Sequence, residues 1–275
     1  MNYQEELNAR IAEERAAIEL IKITSDLSFE KSIELIIFRN QLVDKRSSEI
    51  LNLHEYAKNF VGKPITIFET LAIAKGISAA NFAPSKIDIG KLAYEWISEK
   101  GDNTDINTFI ENKLNFVNDE STHFTPRDVV LYGFGRIGRL LARELMAQEG
   151  KGEQLRLRAI VLRNNDEQNI IKRASLLRTD SVHGKFPGTV VEDVENKALI
   201  INGQSVQLIK ASNPEEVDYT AYGIDNALLI DNTGVFTNKE ALSRHLQANG
   251  VSKVLLTAPG KEIPNIVFGA NHLEY

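Results

Sequence analysis

Three glycines at a fixed spacing are the residues in this chain whose pattern most directly implies chemistry. They follow the apolar segment 129–131 and precede the amphipathic segment RLLARELMAQ, so the setting is strand, turn and helix. In that setting the first glycine permits a tight turn, the second lets a phosphate approach the backbone, and the third lets helix and strand pack closely. The free N–H groups at the helix start then face the phosphates. The predicted pyrophosphate contacts are Gly133, Phe134, Gly135, Arg136, Ile137 and Gly138.

The next predicted strand, RLRAIVLR, brings polar residues to the same edge of the sheet. Asn165 lies where a dinucleotide-binding unit normally has an acid that accepts hydrogen bonds from the adenosine ribose. An asparagine still bonds a ribose but does not repel a 2′-phosphate, and the nearby Arg163 attracts one. NAD and NADP are therefore both candidate ligands. Asp166 either contacts the ribose or caps the helix that follows.

Two further predicted strands end in hydroxyl side chains. The segment ALLIDNTG ends at Thr233 and Gly234, and SKVLLTAPG carries Thr257 at the end of its apolar run. The carboxyl ends of parallel strands border the crevice in which open α/β sheets bind ligands. We therefore expect Thr233, Gly234 and Thr257 to contact the cofactor.

The pattern of strands and helices around these residues predicts an α/β fold. A Rossmann-type, mostly parallel sheet with an antiparallel hairpin excursion is preceded by an all-helical N-terminal domain. Asn202 and Gly203 predict the hairpin, since Asn-Gly suits a type I′ turn. Before residue 118, apolar residues recur at spacings of three and four, Ile33, Ile36 and Ile37 among them, which predicts four or five packed helices. The polar segment 118–127 is the predicted linker between a helical accessory domain, 1–125, and an NAD(P)-binding domain, 126–275.

Composition and charge exclude several classes of function. The sequence has no cysteine, which excludes thiolate metal sites and a thiol nucleophile from this chain, and we expect no bound metal. Residues 1–127 hold 15 Lys or Arg against 20 Asp or Glu, so no nucleic-acid surface is expected. Neither a signal peptide nor a membrane-length apolar run is visible, which predicts a cytoplasmic protein that contacts no membrane. His183 is predicted to order its own loop, and His245 is assigned no role.

Four motifs carry a more specific resemblance. They are GFGRIGR at 133–139, DSVHGKF at 180–186, NTGVF at 232–236 and VLLTAPGK at 254–261. In this order and at these distances they resemble the coenzyme-binding half of glyceraldehyde-3-phosphate dehydrogenase. Residues 1–127 resemble the helical extension of a long bacterial variant of that family, which explains why the glycine turn lies so late in the chain.

This resemblance implies that NAD is bound through particular positions. Tyr132, Asn165 and Ser212 stand where the family usually has an asparagine, an aspartate and a basic residue, which leaves the choice between NAD and NADP open. The positions that the resemblance assigns to NAD are Arg136, Ile137, Asn165, Thr233, Gly234 and Thr257.

The resemblance also implies phosphorylating oxidation of glyceraldehyde 3-phosphate to 1,3-bisphosphoglycerate. In the family, a cysteine attacks the aldehyde and a later histidine acts as base, and that cysteine follows shortly after the segment GANHLEY. We therefore expect this chain to be the N-terminal, coenzyme-binding portion, with no catalytic residue and no activity alone. The aldehyde substrate and a homo-oligomer are expected only in the intact enzyme. The alternative function is an NAD(H)-binding redox sensor or regulatory protein with a helical interaction module.

Overall fold

A computed structural model describes residues 2–57, 61, 64–99, 105–115, 125–148 and 154–274. Its contacts divide these residues into two compact units. The described residues up to 115 form the first unit, and those from 125 onwards form the second. The predicted linker, 118–127, lies for the most part outside the described residues.

The first unit contains five helices and three short strands among its described residues. In chain order these are α1 (Tyr3–Lys31), β1 (Ile33–Ile37), β2 (Asn40–Gln41), α2 (Ser47–Ala57), α3 (Ile67–Ala79), β3 (Ser85–Asp88), α4 (Ile89–Glu99) and α5 (Ile106–Leu114). Helix α1 begins in a capping box, in which Asn2 and Glu5 satisfy each other's backbone N–H groups. It packs on α2, α3 and β1 through its buried face, which includes Leu20 and Leu27.

The α/β class is confirmed, but the first unit is not all-helical. Strands β2, β1 and β3 form a sheet in that order, with β1 parallel to β3. Ile33, Leu35 and Ile37 of β1 are fully buried, at the period of two that a strand shows. A short apolar run in the sequence fits a helix and a strand equally well. In the structure, Ile33 of β1 pairs with Ser85, which lies 52 residues further along the chain. Only that distant pairing decides between the two.

The second unit follows the predicted alternation of strands and helices. Its elements are β4 (Arg127–Tyr132), α6 (Arg136–Gln148), β5 (Leu155–Leu162), α7 (Glu167–Arg178), β6 (Thr179–Asp180), β7 (Gly184–Lys185), β8 (Val190–Asp193), β9 (Ala198–Ile201), β10 (Gln204–Lys210), β11 (Ala227–Asp231), α8 (Lys239–Ser243) and β12 (Val251–Leu256).

Seven of these strands form one sheet in the order β12-β11-β4-β5-β10-β9-β8. The first five are parallel to one another, and β9 and β8 run antiparallel at one edge. The predicted Rossmann-type sheet with an antiparallel excursion is therefore confirmed. The turn between β9 and β10 is the predicted one, because Asn202 and Gly203 both have positive φ, at 50° and 84°. The carboxyl ends of β4, β5 and β11 are neighbours in this order.

The part of the chain that the structure describes contains neither a candidate membrane span nor a candidate metal site. None of its helices is both long and apolar enough to pass through a bilayer. No group of three or more His, Cys, Asp or Glu side chains there is arranged to hold a metal ion.

Candidate functional site

The glycine turn connects the end of β4 to the start of α6. Gly133 has a φ of 91°, a region that favours glycine, and it reverses the chain directly after Tyr132. A Cβ atom added to Gly138 would lie 2.5 Å from the carbonyl oxygen of Gly133, so only glycine lets α6 pack this close to the turn. At Gly135 an added Cβ atom would have no neighbour within 4 Å. The turn therefore leaves open space at the position predicted to admit a phosphate.

A cavity of about 420 Å³ lies beside this turn, within the roughly 300–1,000 Å³ typical of ligand pockets. The ends of four parallel strands and one face of α7 contribute to it. The lining residues are Tyr132, Gly133, Phe134, Gly135, Val161, Leu162, Arg163, Asn164, Asn169, Arg173, Ala211, Ser212, Asn232, Thr233, Val235 and Phe236. They include two arginines and no carboxylate.

The start of α6 offers backbone donors beside the cavity. The first N–H groups of a helix have no partner inside the helix. Among the described residues, no acceptor bonds the N–H of Arg136 or of Ile137, and the Ile137 side chain is 48% exposed. The side chain of Arg136 turns away, because its Nη2 donates to Ser181 Oγ at 3.1 Å. Its backbone is the part that can receive an anion.

The loop that follows α7 is held by Asp180. The Oδ1 atom of Asp180 accepts from the N–H groups of Val182 and His183, at 2.9 and 3.1 Å, and from the ring of His183. These donors hold the pKa of the Asp180 carboxyl well below its usual range. Arg136 Nε and Arg139 Nη2 each lie 3.7 Å from Asp180 Oδ2. The geometry agrees with the predicted role of His183 in ordering its loop.

A buried polar network fixes the end of β11 against the turn. Asp231 is fully buried and accepts hydrogen bonds from Thr233 N and Oγ1, both at 2.7 Å. Its other oxygen lies 2.9 Å from His245 Nε2, and His245 is also fully buried. The ring of Tyr132 packs edge-on against His245, with ring centroids 4.6 Å apart. Burial, with the nearby charge of Asp231, raises the pKa of Tyr132 to about 12.

The structure brings together some of the residues predicted from the sequence and separates others. Gly133, Phe134, Gly135 and Thr233 line the cavity, and Arg136, Ile137 and Gly138 form the first turn of the adjoining helix. Gly234, with a φ of 69°, follows Thr233 but does not line the cavity.

Asn165 and Thr257 do not line the cavity. The amide Nδ2 of Asn165 donates to the carbonyl oxygen of Leu208 at 2.8 Å, so this side chain faces β10, and its neighbour Asn164 takes the place at the cavity. Thr257 Oγ1 donates to Asp231 O and Asn232 Oδ1, at 3.1 and 3.2 Å, and lines a larger apolar groove of about 950 Å³ along β12. No residue of the glycine turn lines that groove.

Sequence reasoning missed two features of this site. Arg173, one turn beyond Asn169 on α7, lines the cavity, and its Nη1 donates to Phe134 O at 3.1 Å. A helical arginine gives no local signal of such a role. His245, to which no role was assigned, is buried beside Asp231, and a histidine spaced 14 residues from its partner could not be placed without the fold. Asp166 caps α7 by accepting from Asn169 N at 2.8 Å.

Comparison with known proteins identifies similar chains. Residues 127–239 match the family described as glyceraldehyde 3-phosphate dehydrogenase, NAD binding domain. A glyceraldehyde-3-phosphate dehydrogenase-like protein of Pseudomonas aeruginosa strain UCBPP-PA14 is 41% identical over 262 residues, which cover 93% of this chain and 56% of that protein. This match extends over both units.

Two similar proteins with the shorter name match about half of the chain. The glyceraldehyde-3-phosphate dehydrogenase of Ogataea parapolymorpha is 36% identical over 148 residues, 54% of this chain and 41% of that protein. The enzyme of the same name from Pseudomonas aeruginosa strain PAO1 is 39% identical over 145 residues, 52% of this chain and 40% of that protein. The chain thus spans 40 to 56% of the length of these three relatives.

Proposed function

Because this chain belongs to the glyceraldehyde-3-phosphate dehydrogenase family through its NAD-binding domain at residues 127–239, we propose that the 420 Å³ cavity is its NAD site. The observation that carries this proposal is the open space above Gly135 at the start of α6. A pyrophosphate in that space lies next to the positive end of the helix dipole and to N–H groups that have no partner among the residues the structure describes.

The hydrogen-bond donors around the cavity can be assigned to the pyrophosphate and the adenosine ribose of the dinucleotide. The N–H groups of Arg136 and Ile137 bind the pyrophosphate, and Asn164 reaches the adenosine ribose in place of Asn165. Thr233, held rigidly by Asp231, borders the cavity at the end of β11. Gly234 keeps the backbone there free of a side chain, and Thr257 acts indirectly by bonding Asp231 O and Asn232 Oδ1. When bound, NAD supplies a hydride acceptor.

The sharpest test places a negative charge in the open space. Gly135→Asp has room for its side chain, so the fold is expected to survive, while the carboxylate repels the pyrophosphate. We expect calorimetry to show NAD affinity reduced at least about tenfold, equivalent to about 1.4 kcal/mol. Ser175→Asp, on the exposed side of α7 and outside the cavity lining, adds the same charge as a matched control. Equal NAD affinity in Gly135→Asp and wild type, with equal thermal stability, would refute the site.

For the whole protein we propose phosphorylating oxidation of glyceraldehyde 3-phosphate, in a cytoplasmic homo-oligomer that binds no nucleic acid. The names of the similar proteins and the acidic balance of this chain, a net charge of −6, support it. The 275 residues contribute coenzyme binding and supply no cysteine nucleophile, since the sequence has none. This chain alone should bind NAD without reducing it in the presence of aldehyde and phosphate, as followed by NADH absorbance.

A further inference from the structure

We propose that Arg173 is a positioning residue of the nucleotide cavity, which holds the peptide unit between Phe134 and Gly135 in the orientation that presents the start of α6 to the ligand. The inference rests on the proposed NAD site and adds a residue to it. Arg173 Nη1 donates to Phe134 O at 3.1 Å, and Arg139 Nη1 donates to the same oxygen at 3.3 Å. Two guanidinium groups, one from α7 and one from α6, therefore bind a single carbonyl of the glycine turn.

This peptide unit has few other restraints. It is flanked by Gly133 and Gly135, and glycine allows a wider range of backbone angles than any other residue. No acceptor among the described residues bonds the N–H of Gly135, so hydrogen bonds restrain the unit only at Phe134 O. Because a peptide unit is planar and trans, the bonds to Phe134 O also fix the direction of the Gly135 N–H and the entry of the chain into α6. The N–H groups of Arg136 and Ile137 follow directly.

The folded chain holds Arg173 at an energetic cost. Its Nε is buried without a hydrogen-bond partner among the described residues, and no acid in that part of the chain forms an ion pair with it. Arg139 differs, because its Nη2 lies 3.7 Å from Asp180 Oδ2. Burial, with the charge of Arg139, lowers the pKa of Arg173. A partly buried charge without an acidic partner is unfavourable for folding, so we expect Arg173 to serve the site and not the stability of the fold.

Nuclear magnetic resonance can observe this peptide unit directly. Phe-Gly occurs twice in the sequence, at Phe134–Gly135 and at Phe268–Gly269. Labelling the full chain with ¹³C-carbonyl phenylalanine and ¹⁵N-glycine therefore gives two carbonyl-to-amide signals, and Gly135→Ala identifies the first by removing it. In the unliganded chain we expect Arg173→Met to move the Phe134 carbonyl signal upfield, because a hydrogen bond to the oxygen deshields the carbonyl carbon. The Phe268–Gly269 signal is the internal reference and should not move.

Calorimetry with NAD measures the consequence for binding. Arg173→Met should weaken NAD binding about tenfold, while the melting temperature equals that of wild type or is higher. Arg173→Lys keeps a donor for Phe134 O and should restore the Phe134 signal and most of the affinity. Lys172→Met removes the same charge from an exposed neighbour on α7, outside the cavity lining, and should change neither measurement.

Two results would overturn the positioning role. An unmoved Phe134 signal together with weaker NAD binding in Arg173→Met would mean that Arg173 contacts the ligand itself. A moved signal with unchanged NAD affinity would mean that the orientation of this peptide unit does not matter for binding. If wild type binds no NAD, the proposed NAD site itself fails, and the two failures are distinguishable because the Phe134 signal is measured without ligand.

Discussion

Asp231 and His245 show how a single buried pair can hold the border of a cavity in place. Asp231 joins Thr233, which borders the cavity, to His245, which lies under Tyr132. A buried carboxylate is stable only when its hydrogen bonds are satisfied, so removal of one partner is costly. With its Nε2–H donated to Asp231, His245 leaves its Nδ1 without a partner among the described residues. Packing and this one hydrogen bond therefore hold the ring.

We predict that His245→Ala lowers the free energy of unfolding by about 3 kcal/mol or more, because it leaves Asp231 buried with a bond missing and opens a void. Urea denaturation measures this loss. His183→Ala is the matched control, since His183 also bonds an aspartate but is half exposed, and should cost less than about 1 kcal/mol. Equal losses in the two variants would mean that the Asp231–His245 pair has no special structural role.

At the scale of elements, the turn between β4 and α6 contains two glycines that have different structural roles. Gly138 is required by a close approach between backbone atoms, whereas an added Cβ atom at Gly135 meets nothing within 4 Å, so only the proposed nucleotide would need a glycine there. Folding therefore requires glycine at position 138, whereas glycine at position 135 matters for the proposed ligand. The same substitution at the two positions should therefore affect different measurements.

We predict that Gly138→Ala destabilises the protein by about 2 kcal/mol, because its methyl group would lie 2.5 Å from Gly133 O and push α6 off the sheet. Gly135→Ala should leave the unfolding free energy unchanged or raise it by up to about 1 kcal/mol. Thermal and urea denaturation of both variants check this. Similar destabilisation at both positions would contradict the open space above Gly135.

At the scale of the whole molecule, the chain divides into two compact units, each with its own buried core. We propose that they are separate domains, one bearing the nucleotide cavity and the other without an assigned ligand. The sole tryptophan, Trp96, packs on Phe109 in the first unit, with ring centroids 5.2 Å apart. Its fluorescence therefore reports the unfolding of that unit alone.

We predict that NAD raises the unfolding midpoint of the second unit only. At 100 times its dissociation constant, a ligand that binds the folded state adds about 2.7 kcal/mol to stability. Circular dichroism should then show a delayed transition, while Trp96 fluorescence keeps its midpoint in urea. A Trp96 transition that moves with NAD would show that the two units unfold together.

The amino-acid sequence by itself determined the features that depend on local backbone geometry. The spacing of Gly133, Gly135 and Gly138 predicted the turn and the element on each side of it, because positive φ and missing side chains are local requirements. Asn202 and Gly203 predicted a hairpin for the same reason. Alternation of apolar strands and amphipathic helices was enough to predict the parallel sheet.

Only the tertiary structure decided what depends on partners that are distant in the chain. Strand β1 became a strand because Ile33 pairs with Ser85, and Asn165 faces Leu208 rather than the cavity because β10 lies beside β5. His245 lies beside Asp231, and Arg173 lines the cavity. Both positions depend on how distant elements pack, which the residues next to them in sequence do not indicate. Local patterns restrict φ, ψ and the buried face, whereas the neighbour of a side chain depends on how the elements assemble.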